Sequence, residues 1–137
     1  PDVAVPTSLA RSVLPKTVDL HTMVLQTAAV ASLIDALYRE DIEAMTAAME
    51  RDCVVEPARA HLMPMLYEMR LVAKRTGGFG LIISGAGPTL CSVCGDEQTA
   101  KAVSEAVKSA YATAGISSTA RYTQISPHGA KARLLNE

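Results

Sequence analysis

The sequence predicts an α+β protein: an antiparallel sheet with helices packed on one face. Three observations carry that expectation. Two short apolar runs, 79–83 and 90–94, flank the turn-forming stretch Ser84, Gly85, Ala86, Gly87, Pro88, Thr89, as the strands of a hairpin would. Longer stretches place apolar residues at helical spacing behind capping residues. Two further runs, 120–125 and 131–135, are joined by Pro127, His128 and Gly129 and read as two closing strands.

Val3, Ala4 and Val5 make a short apolar start that Pro6 ends. Thr7 is placed to cap a short helix carrying Leu9, Ala10 and Val13, which Pro15 closes. A long helix opens at Asp19. Its Leu20, Met23, Val24, Thr27, Val30, Ala31, Ile34 and Leu37 recur on one face, the face expected to turn inward. Asp41 caps a third helix with Ile42, Met45 and Met49 inward, and 51–61 reads as a loop broken by Pro57. Pro64 suits the first turn of the next helix, where Leu66, Met69, Val72 and Ala73 share a face. Lys74 and Arg75 complement the C-terminal end of that helix, and Gly77 with Gly78 terminates it. Beyond the glycine turn, Asp96 caps a helix with Ala100, Val103, Val107, Ala110 and Tyr111 inward, and Gly115 ends it. No repeat, low-complexity tract or linker divides the chain, so a single domain over 1–137 is expected.

At 137 residues the chain has the usual size of one domain. Such a chain buries roughly two-thirds of its unfolded surface, enough for a core. Its 49% hydrophobic and 20% charged residues fit a globular protein. A net charge of −1 gives no footprint for nucleic acid or an anionic membrane. No run of about 18 apolar residues marks a membrane span. No basic-then-apolar start marks a signal peptide, so the expected compartment is the cytoplasm. The first residue is Pro1 rather than methionine, and a missing upstream portion is expected.

Three cysteines, an odd number, suit a reducing compartment. Cys91 and Cys94 form a C-x-x-C, but residues three apart in a strand point to opposite faces. No second C-x-x-C or His pair follows, so both read as buried small apolar side chains. His21, His61 and His128 share no metal spacing, and no metal site is expected in this chain. The methionines at helical spacing read as core filler.

Two places are candidates for chemistry. Two glycines two residues apart open dihedrals closed to other residues and let another group approach. Such a turn presents amides to an anion, and it equally describes an ordinary hairpin. The second candidate holds Asp52, Glu56 and Arg59 just before a helix. An arginine on a proline-stiffened loop suits bidentate capture of a carboxylate or phosphate. A solvated loop with a surface ion pair is the plain alternative.

The motif S-G-A-G-P-T, Ser84 through Thr89, resembles the third signature motif of the GHMP small-molecule kinases. The segments T-S-L-A-R-S-V-L-P at 7–15 and R-D-C-V-V-E-P-A-R-A-H-L-M-P at 51–64 are similar, in order and spacing, to the substrate segments of the homoserine kinases in that family. The resemblance covers nearly the whole chain. It implies a C-terminal domain with a ferredoxin-like core plus extra helices. It also implies ATP-dependent phosphorylation of L-homoserine to O-phospho-L-homoserine, a step toward threonine. Arg11 and Arg59 would grip the homoserine carboxylate, and Ser84, Gly85, Ala86, Gly87, Pro88 and Thr89 would lie near the phosphates. ATP and Mg2+ would be held mainly by an N-terminal domain absent from this sequence, which contains no P-x-x-x-G-L-G-S-S loop. The fragment alone is therefore expected to be inactive, to expose apolar surface where that domain docks, and to self-associate, a homodimer included.

Two departures from the family pattern stand out. A polar residue expected in the long helix is replaced around Met23 and Gln26, and the frequent I-P-G reads Met63, Pro64, Met65. A non-catalytic ferredoxin-like ligand-binding or regulatory module would explain the architecture without a missing half. Another GHMP kinase would share the glycine motif but not E-P-x-R.

Overall fold

Three aspartates set the starts of the three helices that their positions announce. Asp19, Asp41 and Asp96 stand in extended backbone and accept from the amides of Thr22, Ala44 and Thr99 at 2.9, 2.9 and 2.8 Å. Each satisfies a donor that the first helical turn leaves without a partner. The structure, a computed structural model, describes residues 1–130 and 132. In chain order they form α1 (Thr7–Ser12), α2 (Leu20–Tyr38), α3 (Ile42–Met49), α4 (Val55–Arg59), a 3-10 turn (Ala60–Leu62), α5 (Leu66–Arg75), β1 (Gly80–Ile83), β2 (Leu90–Val93) and α6 (Glu97–Thr113).

β1 and β2 pair antiparallel across the glycine turn, with Gly80 opposite Val93, Leu81 opposite Ser92, Ile82 opposite Cys91 and Ile83 opposite Leu90. Alternation puts Leu81, Ile83 and Leu90 on one face. That face packs with Met63, Leu66, Met69 and Ala73 from the α5 side and Val103 and Tyr111 from α6, which form the core. Helices therefore cover one face of an antiparallel ribbon, as expected. α5 ends in a Schellman turn, its Gly77 and Gly78 amides donating to Lys74 and Ala73 carbonyls at 3.1 and 2.9 Å.

Several expectations are corrected. Thr7 is the first residue of α1, not its cap; the cap position is Pro6, which has no side chain to accept with. The apolar face of α2 does not turn inward. Leu20, Met23, Val24, Val30, Ile34 and Leu37 are exposed, while Ala29 and Ala36 are buried. The small residues allow α2 to lie close against α3, which has its own small buried pair, Thr46 and Ala48. On α3, Met45 and Met49 are half-buried and Ile42 is exposed. α2 is also long and apolar enough to cross a membrane by length and composition, although it holds no unbroken apolar run of that length. Its Gln26, Thr27, Ser32 and Asp35 interrupt the run without lowering the average enough.

The stretch 51–61 is not a loop. It holds α4 and most of the 3-10 turn. Pro57 is the third residue of α4, where its missing amide hydrogen leaves no helical bond unmade. Pro64 lies before α5 rather than in its first turn. Met65 caps that helix in the left-handed region, φ 58°. Glycine takes that conformation without steric cost, and glycine is what the I-P-G pattern would place there.

Residues 120–125 form no strand. Strand geometry needs a paired ladder, and among the described residues the backbone link nearest this stretch is the Asp2 amide on the Ser117 carbonyl at 2.7 Å. The expected partner, 131–135, lies outside the described residues except for Ala132. The described sheet therefore has two strands. Cys91 and Cys94 do separate, but only Cys94 packs against the core; Cys91 is exposed on the other face of β2.

Candidate functional site

α4 exists because of Asp52. Its Oδ1 accepts from the Val54 and Val55 amides at 3.0 and 2.9 Å, and Oδ2 accepts from the Glu56 amide at 3.0 Å. These are the donors that a five-residue helix cannot satisfy within itself. Gln26 of α2 braces the cap. Its Nε2 donates to Asp52 Oδ1 at 3.1 Å, and its Oε1 accepts from the Cys53 amide at 3.0 Å. The polar residue within the apolar long helix thus serves the start of α4. Burial pushes the Asp52 carboxyl up, but the three amides and Gln26 outweigh burial and hold it below the ordinary carboxylate range.

A stability consequence follows. A carboxyl lowered by folding adds stability above its unfolded value, about 3.9, and loses it as pH falls through the lower folded value. The acid limb of the stability-pH curve should therefore flatten in Asp52→Asn, which keeps an acceptor oxygen but cannot titrate. Asp52→Ala should cost about 1–2 kcal/mol near neutrality. Denaturation melts between pH 3 and 7 check both, and an unchanged acid limb in Asp52→Asn would rule the cap out as its source.

Arg59 ends α4. Its Nε donates to the Ala10 carbonyl at 2.9 Å and its Nη1 to the Gly85 carbonyl at 3.0 Å. One guanidinium thus joins α1, α4 and the glycine turn, the three segments singled out in the sequence. Both contacts use backbone acceptors, and part of the donor fork is left over. Arg11, beside Ala10, is exposed; its carbonyl accepts from the Leu14 amide at 3.2 Å, and its guanidinium makes no hydrogen bond among the described residues.

The turn is closed by the Ser84 amide on the Thr89 carbonyl at 2.8 Å and the Gly87 amide on the Ser84 carbonyl at 3.1 Å. Gly85 and Gly87 have φ of 63° and 82°. The Gly85 and Ala86 amides donate to no acceptor among the described residues. The two glycines differ in their surroundings: a Cβ on Gly85 would point into open space, whereas one on Gly87 would run into the Sδ and Cε of buried Met63. Met63 belongs to the same 51–64 segment as Arg59, so that segment touches the turn twice.

The Asp52, Glu56 and Arg59 charges do not pair with one another. Glu56 is buried and accepts from Arg70 Nη2 at 2.6 Å. Arg70 Nε donates to the Leu81 carbonyl at 2.7 Å and lies 3.2 Å from Glu50 Oε1. Glu50 also accepts from the Leu81 amide at 2.9 Å and from Lys74. Gly80 makes room for this cluster, since a Cβ there would strike Glu50 and lie 2.6 Å from Thr46 Cγ2. Sequence reading missed Arg70 and Glu50, because partners spread over three elements leave no spacing signal.

His21, His61 and His128 are exposed and lie apart, on α2, on the 3-10 turn and in a turn beyond α6. No group of three or more His, Cys, Asp or Glu side chains converges among the described residues. The open amides of the turn do fit an anionic oxygen. A cavity of about 670 Å³ lies between β2, α6 and the segment 117–123, lined in part by Cys91, Ser92, Lys108 and Arg121. It reaches Ser84 and Thr89 of the turn but neither Arg11 nor Arg59.

The family model described as GHMP kinases C terminal matches residues 33–113. This chain belongs to that family. The matched span of this GHMP kinase C-terminal domain contains Arg59 and the whole glycine turn and leaves α1 with Arg11 outside. Proteins named homoserine kinase are among its relatives. The one from Pyrobaculum aerophilum is 41% identical over 128 residues, 93% of this chain and 42% of the relative. The one from Chlorobaculum tepidum is 40% identical over 111 residues, 81% of this chain and 34% of the relative. The crystal structure of homoserine kinase from Cytophaga hutchinsonii superposes with a TM-score of 0.78 at 32% identity, covering 83% of this chain and 36% of that one. The GHMP domain thus spans between about a third and two-fifths of the length of these relatives.

Proposed function

We propose that this chain is the C-terminal part of a homoserine kinase, which transfers the γ-phosphoryl group of ATP to the hydroxyl of L-homoserine. The observation that carries the reading is the Arg59 bridge from Ala10 to Gly85, because it gathers both arginine-bearing segments at the glycine turn. Relatives of about 40% identity that bear this name point the same way.

Phosphoryl transfer needs positioning and charge stabilisation more than covalent help from the protein. Homoserine is small, and its carboxylate is the strongest handle far from the reacting hydroxyl. Arg11 and the unused part of the Arg59 fork hold that carboxylate, so the hydroxyl is presented at a fixed place. The open Gly85 and Ala86 amides lie on the turn that Arg59 grips and would donate to phosphate oxygens of the nucleotide. ATP, when bound, supplies the phosphoryl group. Magnesium, the phosphate loop and the base belong to the N-terminal region, while this chain supplies the ferredoxin-like C-terminal core, and the whole is a cytoplasmic enzyme.

The test is an ATP-turnover assay of the complete protein with homoserine, serine, mevalonate and galactose as acceptors, beside the 137-residue chain alone. Homoserine should be used at least ten-fold better than the others, and the isolated chain should be inactive. Preference for another acceptor, or homoserine-dependent turnover by the isolated chain, would sink the reading.

A further inference from the structure

Two tethers join α4 to the hairpin, and only one of them has a part in the function proposed above. The first is Arg59 on the Gly85 carbonyl. The second starts one turn earlier on α4, where Glu56 accepts from Arg70, whose Nε holds the Leu81 carbonyl. Leu81 lies on β1, four residues before Gly85. The turn of α4 from Glu56 to Arg59 and the hairpin from Leu81 to Gly85 therefore close a ring through two guanidinium groups. A single tether lets α4 pivot about it. Two tethers at separate points fix both distance and angle.

The Leu81 end is held doubly, since its amide donates to Glu50, which also faces Arg70. The side chains of Arg70, Glu50 and Glu56 are 14%, 12% and 8% exposed, so the cluster is largely shielded from water. Buried ion pairs add little net stability compared with apolar packing, but a planar fork that spans two acceptors imposes direction.

We propose that Arg70 is a positioning residue for the acceptor site. Through Glu56 and Leu81 it sets where Arg59 stands relative to the glycine turn, while touching neither acceptor nor nucleotide. The assignment rests on the homoserine-kinase reading for its chemistry and on the ring alone for its geometry.

The test uses the complete protein with two variants. Arg70→Lys keeps the charge but loses the two-way fork. Glu56→Gln keeps the size and an acceptor oxygen, and so keeps the proposal testable should Arg70→Lys not fold. Hydrogen exchange is followed in 55–59 and 84–89, alongside steady-state kinetics. In each variant exchange should quicken in both segments, although neither residue touches the turn. The KM for homoserine should rise about ten-fold, short of the 10²-fold that a 1 Å misplacement can cost, while the KM for ATP stays within about two-fold. Exchange that quickens only in 55–59 overturns the proposal whatever the kinetics, as does a loosened turn with unchanged homoserine KM. Should the unmodified protein not phosphorylate homoserine, the functional reading falls by itself and the exchange result still decides the ring.

Discussion

Arg70→Ala should destabilise the protein by about 3–5 kcal/mol, the cost of removing one partner from a buried ion pair. The change leaves Glu56, 8% exposed at its side chain, without a cation, and frees the Leu81 carbonyl. Glu50 keeps Lys74 and is less affected. For a chain of this size the loss corresponds to a fall of roughly 10 °C or more in Tm. Glu56→Ala should cost less, because Arg70 retains Glu50 and Leu81. The double variant should lose less than the sum, since both changes remove one shared contact. Equilibrium denaturation of the four proteins provides the measurement. A loss under about 1 kcal/mol for Arg70→Ala is the behaviour of an exposed pair, and would mean that the cluster is open to water.

That cluster marks a limit of what the chain discloses as a string of letters. Local signals read well: Asp19, Asp41 and Asp96 start the helices they precede, and the ribbon pairs around Ser84 to Thr89 as its glycines suggest. Each depends on interactions within a few residues. The face of α2 was not legible in the same way. Periodicity states which residues form a stripe, not which neighbour is present to cover it. Here close packing on α3 selects Ala29 and Ala36 and leaves Leu20, Val24, Val30 and Ile34 outside. Pro57 misled for a related reason: it breaks a helix interior but costs nothing in a first turn already capped by Asp52.

The candidate site shows the same division. Arg59 and the glycine turn were legible as residue types suited to anions. Their meeting was not, because Arg59 and Gly85 lie 26 positions apart and the contact runs to a backbone carbonyl, which any residue carries. The Glu56 charge was legible, but its partner Arg70, 14 positions on and in another helix, was not. Burial decided it: a carboxylate this enclosed is matched by a guanidinium held just as firmly, and Arg70 is fixed by Leu81 and Glu50 before it meets Glu56.

On the homoserine-kinase reading, Arg59→Lys in the complete protein should lower kcat/KM for homoserine about ten-fold to a hundred-fold and leave the KM for ATP nearly unchanged. A charge-assisted hydrogen bond contributes roughly 1.5–3 kcal/mol, which spans that range. Lysine keeps the charge, yet a single ammonium on a flexible stem cannot hold Ala10, Gly85 and a carboxylate in one plane. Arg11→Lys should show a smaller loss, because exposed Arg11 has no backbone bridge to forfeit. If both grip one carboxylate, the double variant should fall short of the product of the two. An acceptor lacking the carboxylate supplies the control: it should be poor for the unmodified enzyme and largely indifferent to either change. A uniform loss across both acceptors would instead assign Arg59 to holding α1 against the turn. Normal homoserine kinetics in both variants would return Arg11 and Arg59 to structural charges, and leave the Ala10 and Gly85 carbonyls as the whole reason for the fork.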